Sequence, residues 1–358
     1  MTKDRLSKYI GTETLSIVDA MERIDANAKG ILFITDEQGI LKGALTDGDI
    51  RRWILKAGGL SASVKSAMTL SPRYLFVEEA DKAEAVMRQE VITALPIIDR
   101  SMKIVDIVLF SEVEDIKAEK PKKDLSNVSV VVMAGGKGTR LYPYTKILPK
   151  PLIPIGDTPI VERIIDCFVE YGVNRFYMTV NYKKSMIRAY FSELNPSYAI
   201  EYIEEEKPLG TCGSIKLINR KFDKPLFVTN CDALILADYG DLYDYHIGSG
   251  NAITIVSALK NITVPYGVLH SGDNGELLSI EEKPKLSYFI NTGMYVINPD
   301  TIDLIPDGIM FHMTHLVETV MKQGGKVGMY PVSEDSFLDM GEFSEMKRME
   351  EKLHIVSN

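Results

Sequence analysis

Cysteine is scarce in this chain. Its 358 residues include three, Cys167, Cys212 and Cys231, an odd number with no Cys-x-x-Cys pair. Neither a disulfide framework nor a cysteine-based zinc site is therefore expected, and reduced thiols suit a cytoplasmic protein. Long apolar runs are missing too. Eighteen uncharged apolar residues never occur together, and the opening MTKDRLSKYI lacks the hydrophobic stretch of an export signal. No membrane partner is expected. Nor is there an excess of positive charge. The net charge is −9, and beyond residue 125 there are 22 Lys and Arg against 29 Asp and Glu. A nucleic-acid partner would call for a basic face, so none is expected. An acidic chain that held a polyphosphate would need local cations and a divalent metal to neutralise it.

What is present reads as an ordinary globular protein, 45% hydrophobic and 25% charged, and long enough for two domains. The charged stretch EDIKAEKPKKDLSNVS, Glu114 to Ser129, breaks the chain and contains Pro121. The division expected is a first domain over 1–120, a linker over 121–127 and a second domain over 128–358. Within the first, ILFITDEQGILKGALTDGDI (Ile31–Ile50) aligns at an offset of 63 with ALPIIDRSMKIVDIVLFSEV (Ala94–Val113). Each copy reads as strand, turn, strand and helix start, and helical periodicity precedes each, in SIVDAMERIDAN and DKAEAVMRQEVI. The pattern resembles a tandem cystathionine-β-synthase-type (CBS) pair, an α+β module. In that family, a glycine, a hydroxyl residue and an aspartate after the second strand often contact a nucleotide ribose. Gly43, Thr46 and Asp49 stand at those places, so the resemblance implies an adenine-nucleotide site there. Packing or oligomerisation alone is the alternative. The second copy has Asp106, Leu109 and Glu112 instead.

From Val128 the pattern changes to α/β. VSVVVMA, FYMTV, PLFVTN, AITIVSAL and GMYVIN read as strands, with PIVERIIDCFVEYG and GSIKLINRKF as helices between them. Such alternation predicts a mixed, mostly parallel sheet covered on both faces, with ligands beyond the C-terminal strand ends.

The first strand runs into MAGGKGTRLYPYTKILPKPLIPI, Met133 to Ile155. It holds three glycines, four prolines and four cations. The P-loop template is not met, and Leu141 stands where a dinucleotide fingerprint needs its last glycine. The glycines still let backbone N–H groups approach anionic oxygens. Arg140 offers a planar fork and Lys150 a mobile point charge, while the prolines forbid a long helix.

This long form resembles the signature of sugar-nucleotide pyrophosphorylases, and further motifs of that family follow in order to about residue 345. The family joins a nucleoside triphosphate to a sugar 1-phosphate on a Rossmann-like sheet and releases pyrophosphate. The resemblance implies that Gly135, Gly136 and Gly138 hold the nucleotide with Thr139 beside them. It gives Arg140 the pyrophosphate and Lys150 the α-phosphate and sugar phosphate. In FVTNCDALI, Asp232 falls at the family's catalytic metal acid, and in FLDMGEFSEMKRM, Asp339 falls at the second. Mg²⁺ is the metal implied.

The segment EEEKPLGTCGS would read the base, through Glu205 and Gly210, with Thr211 following. A carboxylate accepts and cannot donate, so it suits guanine, which presents two adjacent donors. GTP is the expected nucleotide, with UTP, dTTP and CTP as alternatives. The sugar side, by the same resemblance, is Tyr266, Gly267, Glu282, Lys283 and Asn291. Glu282 could accept from hydroxyls or from an ammonium, which leaves amino and neutral sugars open. A CBS pair on a short transferase resembles the glucosamine-1-phosphate guanylyltransferases of nonulosonate (legionaminic acid) pathways. Mannose and heptose 1-phosphates are rivals, as is a nucleotide-sensing regulator with an inactive transferase domain. The stretch after Asp339 is too short for a hexapeptide β-helix, so no acetyltransferase arm is expected. A homo-oligomer is expected. His312 and His315 in FHMTH are spaced for a metal, but without a third ligand they read as a helix start. The sixteen methionines are scattered, as core filler is.

Overall fold

The computed structural model describes residues 6–27, 30–57, 59–90, 92, 94–109, 122–341 and 343–353. The chain divides into two compact units. Met1–Pro121 groups with Lys260–Tyr288, and Lys122–Leu259 with Phe289–Asn358.

In the first unit β1 (Ile10–Thr12), α1 (Ile17–Asn27), β2 (Ile31–Thr35), β3 (Leu41–Thr46) and α2 (Asp47–Ala57) are followed by β4 (Leu75–Phe76), α3 (Ala83–Glu90), β5 (Ala94–Ile98) and β6 (Ile104–Leu109). The strands form two three-stranded sheets, β1-β2-β3 and β4-β5-β6. In each, the first pairing is parallel and the second antiparallel. The repeat extends to register. Ile31 opposes Thr46 as Ala94 opposes Leu109, and an irregularity falls at Ile34/Thr35 and again at Ile97/Ile98. Phe33, Leu41, Ala44, Ala94, Ile98 and Ile107 from both sheets share one core.

Thr46 and Asp49 sit where the sequence places them, but they bond to each other. Thr46 donates to Asp49 Oδ2 from its N–H at 3.0 Å and its hydroxyl at 2.6 Å, and Asp49 N–H donates back to Thr46 Oγ1 at 3.2 Å. The pair caps the start of α2. Of the second copy's counterparts, Asp106 and Leu109 lie on β6, and Glu112 falls outside the described residues.

The chain continues through β7 (Val130–Ala134), α4 (Tyr144–Ile147), β8 (Pro154–Ile155), β9 (Thr158–Pro159), α5 (Ile160–Val169), β10 (Arg175–Val180), α6 (Lys184–Leu194), β11 (Ala199–Glu204), β12 (Leu226–Asn230), β13 (Ala233–Ile235), α7 (Tyr239–Ser249) and β14 (Ile253–Thr263). The hairpin β15 (Gly267–Ser271) and β16 (Leu277–Glu282) belongs to the first unit. Then come β17 (Lys285–Ile297), α8 (Met313–Lys322), β18 (Val327–Val332), β19 (Phe337–Asp339) and α9 (Phe343–Lys352).

The sheet of the second unit has seven strands in the order β11-β10-β7-β12-β17-β14-β18. Pairings β11–β10, β10–β7, β7–β12 and β14–β18 are parallel, and β17 runs antiparallel to β12. All five residues of β7 are buried, as a strand covered on both faces requires. Val130, Val132 and Ala134 enter one core with Ile160, Ile164 and Phe168 of α5. Val131 and Met133 enter the other with Met313, Leu316 and Val320 of α8. Among the described residues no helix is long and apolar enough to cross a membrane.

All five strands anticipated from sequence form, as does the helix at Ile160. The helix expected over GSIKLINRKF does not. Only a 3₁₀ turn, Gly213–Leu217, is present. Its buried residues are Gly213, Ser214 and Ile215, and the polar NRKFDK that follows has no apolar stripe to continue a helix. Strands β11 and β18 carry no strong sequence signal because both are at the sheet's edges, where β18 tolerates Pro331.

His246 on α7 is buried between Thr254 Oγ1, 2.8 Å from Nδ1, and Asn298 Oδ1, 3.0 Å from Nε2. Burial holds its pKa below the usual imidazole range, against a smaller opposing pull from Asn298. The unfolded chain therefore takes up a proton near pH ~6.5 that the folded chain still refuses. This contribution to stability is complete above that pH and is lost as pH falls through it. Thermal midpoints measured at pH 7.5 and 5.5 should drop more for the natural chain than for His246→Gln.

Candidate active site

Three parallel strands deliver the site at their C-terminal ends. β7 opens into the glycine loop, β12 ends at Asn230 beside Cys231 and Asp232, and β11 ends at Glu204 beside Glu205. Two of the glycines are required by close approach. A Cβ on Gly135 would stand 2.8 Å from Glu205 Oε1, so the Glu205 carboxylate packs directly against the loop. Gly138 has φ +65°, and a Cβ there would meet Lys150 Cβ and Thr145 Cγ2 at 2.9 Å each. The loop is thus moulded onto the stem of Lys150.

Lys150 is 8% exposed and ion-paired with Asp232. Asp339 reaches the same place because β19 pairs antiparallel with β13, setting Asp339 opposite Ala233, and Met340 N–H donates to Asp232 O at 2.9 Å. Burial, then the neighbouring Asp232 charge, raises the Asp339 pKa, while Lys150 and Arg140 pull it down and Glu345 pushes it up. Asp339 and Arg140 converge beside Gly341, whose Cβ would lie 2.9 Å from Asp339 Oδ2 and 3.3 Å from Arg140 Nη1. The two buried cysteines nearby are not nucleophiles. Burial pushes the Cys212 thiol up to about 12 and Cys231 higher still.

Two adjoining cavities result. The larger, about 400 Å³, is lined by Gly135, Gly136, Gly138, Thr139, Arg140, Lys150, Glu205, Gly210, Thr211 and Asp232. The smaller, about 220 Å³, is lined by Asn291, Thr292, Gly293, Tyr295 and Asp339. Arg140, Thr211, Asn230 and Asp232 face both. Glu205 is 7% exposed, and its carboxylate accepts a hydrogen bond from Leu209 N–H at 3.3 Å. Asn291 is held at both ends. Its Oδ1 accepts from Gly293 N–H at 3.0 Å, and its Nδ2 donates to Tyr295 OH at 2.6 Å.

The remaining sugar-side candidates lie on the hairpin of the first unit. Gly267 pairs with Glu282 across β15 and β16, and Lys283 N–H donates to Tyr266 O at 3.3 Å. Residues the sequence reading passed over are Asn230, Gly293 and Tyr295. Gly293 has φ +83°, and a Cβ there would lie 2.3 Å from Asn230 Nδ2. The one signal available was that Asn230 and Gly293 adjoin motifs already singled out.

A parallel sheet whose strand ends gather a glycine loop, two cations and paired carboxylates has the architecture of a phosphate-handling α/β site. The chain belongs to the nucleotidyl transferase family, whose model matches residues 129–354. A CBS domain model matches residues 12–56. The mannose-1-phosphate guanyltransferases of Debaryomyces hansenii and Candida albicans are each 36% identical over 184 residues, covering 49% of this chain and 51% of theirs. The UTP–glucose-1-phosphate uridylyltransferase of Synechocystis is 32% identical over 200 residues, covering 51% and 52%. The chain thus spans about half the length of the curated relatives it matches. The crystal structure of HddC from Yersinia pseudotuberculosis is similar at a TM-score of 0.51 and 26% identity, over 63% of this chain and 99% of that one.

Proposed function

We propose that the protein transfers GMP from GTP to a sugar 1-phosphate, giving an NDP-sugar and pyrophosphate. The observation that carries this is the pair of adjoining cavities that share Arg140 and Asp232 as a wall. One takes the nucleotide and the other the acceptor, so the sugar-phosphate oxygen can attack the α-phosphorus at their junction as pyrophosphate leaves. Charge develops on the phosphorus oxygens, and no side-chain nucleophile is needed. Lys150 stands where the α-phosphate meets the acceptor phosphate, and Arg140 faces the leaving group. Fixed cations of this kind act through electrostatic preorganisation.

Asp232 and Asp339 supply hard oxygen donors close together, and burial first and the Asp232 charge second raise the Asp339 pKa, a setting that suits a divalent cation such as Mg²⁺. When bound, that cation would neutralise phosphate charge. Among the described residues no cluster of three or more His, Cys, Asp or Glu is arranged for a metal. Two carboxylates plus substrate phosphates and water are the set that Mg²⁺ commonly takes.

Glu205 carries the guanine reading. Among the described residues the buried Glu205 carboxylate has one neutral hydrogen-bond donor, Leu209 N–H, which leaves acceptor capacity that the N1–H and N2–H of guanine together would satisfy. The guanyltransferase relatives support this, and the uridylyltransferase shows that the family admits other bases. Glu205→Gln should lower the preference for GTP over UTP about ten- to a hundredfold. Pyrophosphate release measured across four nucleoside triphosphates and several sugar 1-phosphates reads this directly, and unchanged preference would remove Glu205 from the base site. For the acceptor, glucosamine 1-phosphate is the first choice and mannose and heptose 1-phosphates the alternatives. In the smaller cavity Asn291 is the oriented amide for a sugar hydroxyl. The assignment of Tyr266, Gly267, Glu282 and Lys283 to the sugar rests on the resemblance alone.

A further inference from the structure

The FHMTH motif has no part in the reaction above, yet its first histidine touches the site. His312 and His315 cap α8. His312 N–H donates to His315 Nδ1 at 3.2 Å, and His315 N–H donates to His312 O at 2.9 Å. His312 Nδ1 accepts from Thr211 N–H at 3.3 Å and lies 3.5 Å from Thr211 Oγ1, while Met313 N–H donates to Thr211 Oγ1 at 3.1 Å. Phe311 N–H donates to Leu209 O at 2.8 Å, and Cys212 and Gly213 N–H both donate to Phe311 O at 3.0 Å. Gly210, at φ +80°, lies flat under this segment. A Cβ there would stand 2.7 Å from Phe311 O and 3.0 Å from the His312 ring. The loop Leu209–Gly213 is therefore cast on Phe311–Met313. It starts beside Glu205, whose carboxylate Leu209 N–H contacts, and it carries Thr211, which faces both cavities.

We infer that His312 is a positioning residue for nucleotidyl transfer: its Nδ1 fixes Thr211 at the wall shared by the two substrates. The inference rests on the transferase reading. Nδ1 accepts a backbone donor, so the neutral ring carries its proton on Nε2. His312 itself need not touch either substrate. Removing the acceptor leaves the Thr211 N–H without a protein partner and frees the loop to shift. Positioned groups lose rate steeply with small displacements.

The test compares His312→Ala, His312→Asn, Thr211→Ala and the double variant H312A/T211A in the full chain. Asparagine places an oxygen near the position of Nδ1 and keeps the acceptor without the ring. Pyrophosphate release is measured with kcat and KM separated for each substrate, and amide exchange is followed over 205–213. H312A should lose about tenfold in kcat/KM, the size of one lost hydrogen bond. H312N should stay within about threefold of the natural chain, and the double variant should be no slower than T211A alone. Exchange at Thr211 and Cys212 should quicken about tenfold in H312A and much less in H312N. Equal losses in H312A and H312N, additive effects in the double variant, or unchanged rate and exchange in H312A would each overturn the assignment. If the natural chain released no pyrophosphate with any substrate pair, the transferase reading would fall. The exchange comparison would still judge the clamp.

Discussion

Asp232→Asn should lower pyrophosphate release about a thousandfold while costing less thermal stability than Asp232→Ala. Asparagine keeps the shape of the side chain and an oxygen for Lys150 Nζ, the ion-pair partner of Asp232. What it removes is the negative charge at the junction of the two cavities, and with it one of the two carboxylates suited to a hard cation. Alanine is the informative contrast. It removes the oxygen as well as the charge, so the ammonium of Lys150, which is 8% exposed, loses this hydrogen-bond partner, and removing one partner of a buried ion pair costs about 3 kcal/mol. Equal loss of turnover in both variants, with a larger drop in melting temperature in Asp232→Ala, separates chemistry from stability. Turnover above a tenth of the natural rate in Asp232→Asn would remove Asp232 from the centre of the reaction.

Gly138→Ala should cost both stability and turnover. The residue sits at φ +65°, where an added Cβ is strained, and that Cβ would press on Lys150 and Thr145 at 2.9 Å. The left-handed backbone accounts for about 1–2 kcal/mol and the overpacking for a similar amount. A melting temperature lower by roughly 5–10 °C follows for a unit of this size. Because the stem of Lys150 takes the push, turnover should fall about a hundredfold beyond the loss of folded protein. Gly136→Ala is the control, since no heavy atom lies within 4 Å of a Cβ there. Differential scanning fluorimetry with pyrophosphate release on both variants checks the pair. Equal behaviour of the two glycines would show that the loop is not moulded on Lys150.

The site was legible where charge and glycine carry it. Arg140 and Lys150 share the glycine motif, while Asp232 and Asp339 stand in two others far along the chain. The structure gathers them through pairings that local sequence does not encode, above all β13 with β19. Asn230 and Tyr295 were missed because a neutral amide and a phenol next to apolar strands look like core. Their role appears only once both cavities exist. The internal repeat was readable even to register, since matched apolar runs dictate which face each strand buries. GSIKLINRKF misled because its first half has helix-like spacing while Gly213 packs against Ile309 and Phe311 and Ser214 is buried beside it. Edge strands β11 and β18 bury too little to announce themselves. Thr46 and Asp49 show the reverse case, in which residues that match a ligand motif also satisfy one another.

The wall shared by the two cavities separates what the protein can vary from what it cannot. Arg140, Thr211, Asn230 and Asp232 line both, so on the proposed reading a change in any of them would disturb donor and acceptor together. Asn291, Thr292 and Tyr295 face the smaller cavity alone, and Gly136, Glu205 and Gly210 the larger alone. On the proposed reading, substitutions around the Asn291–Gly293 turn would therefore change acceptor preference without touching the residues that line the larger cavity alone.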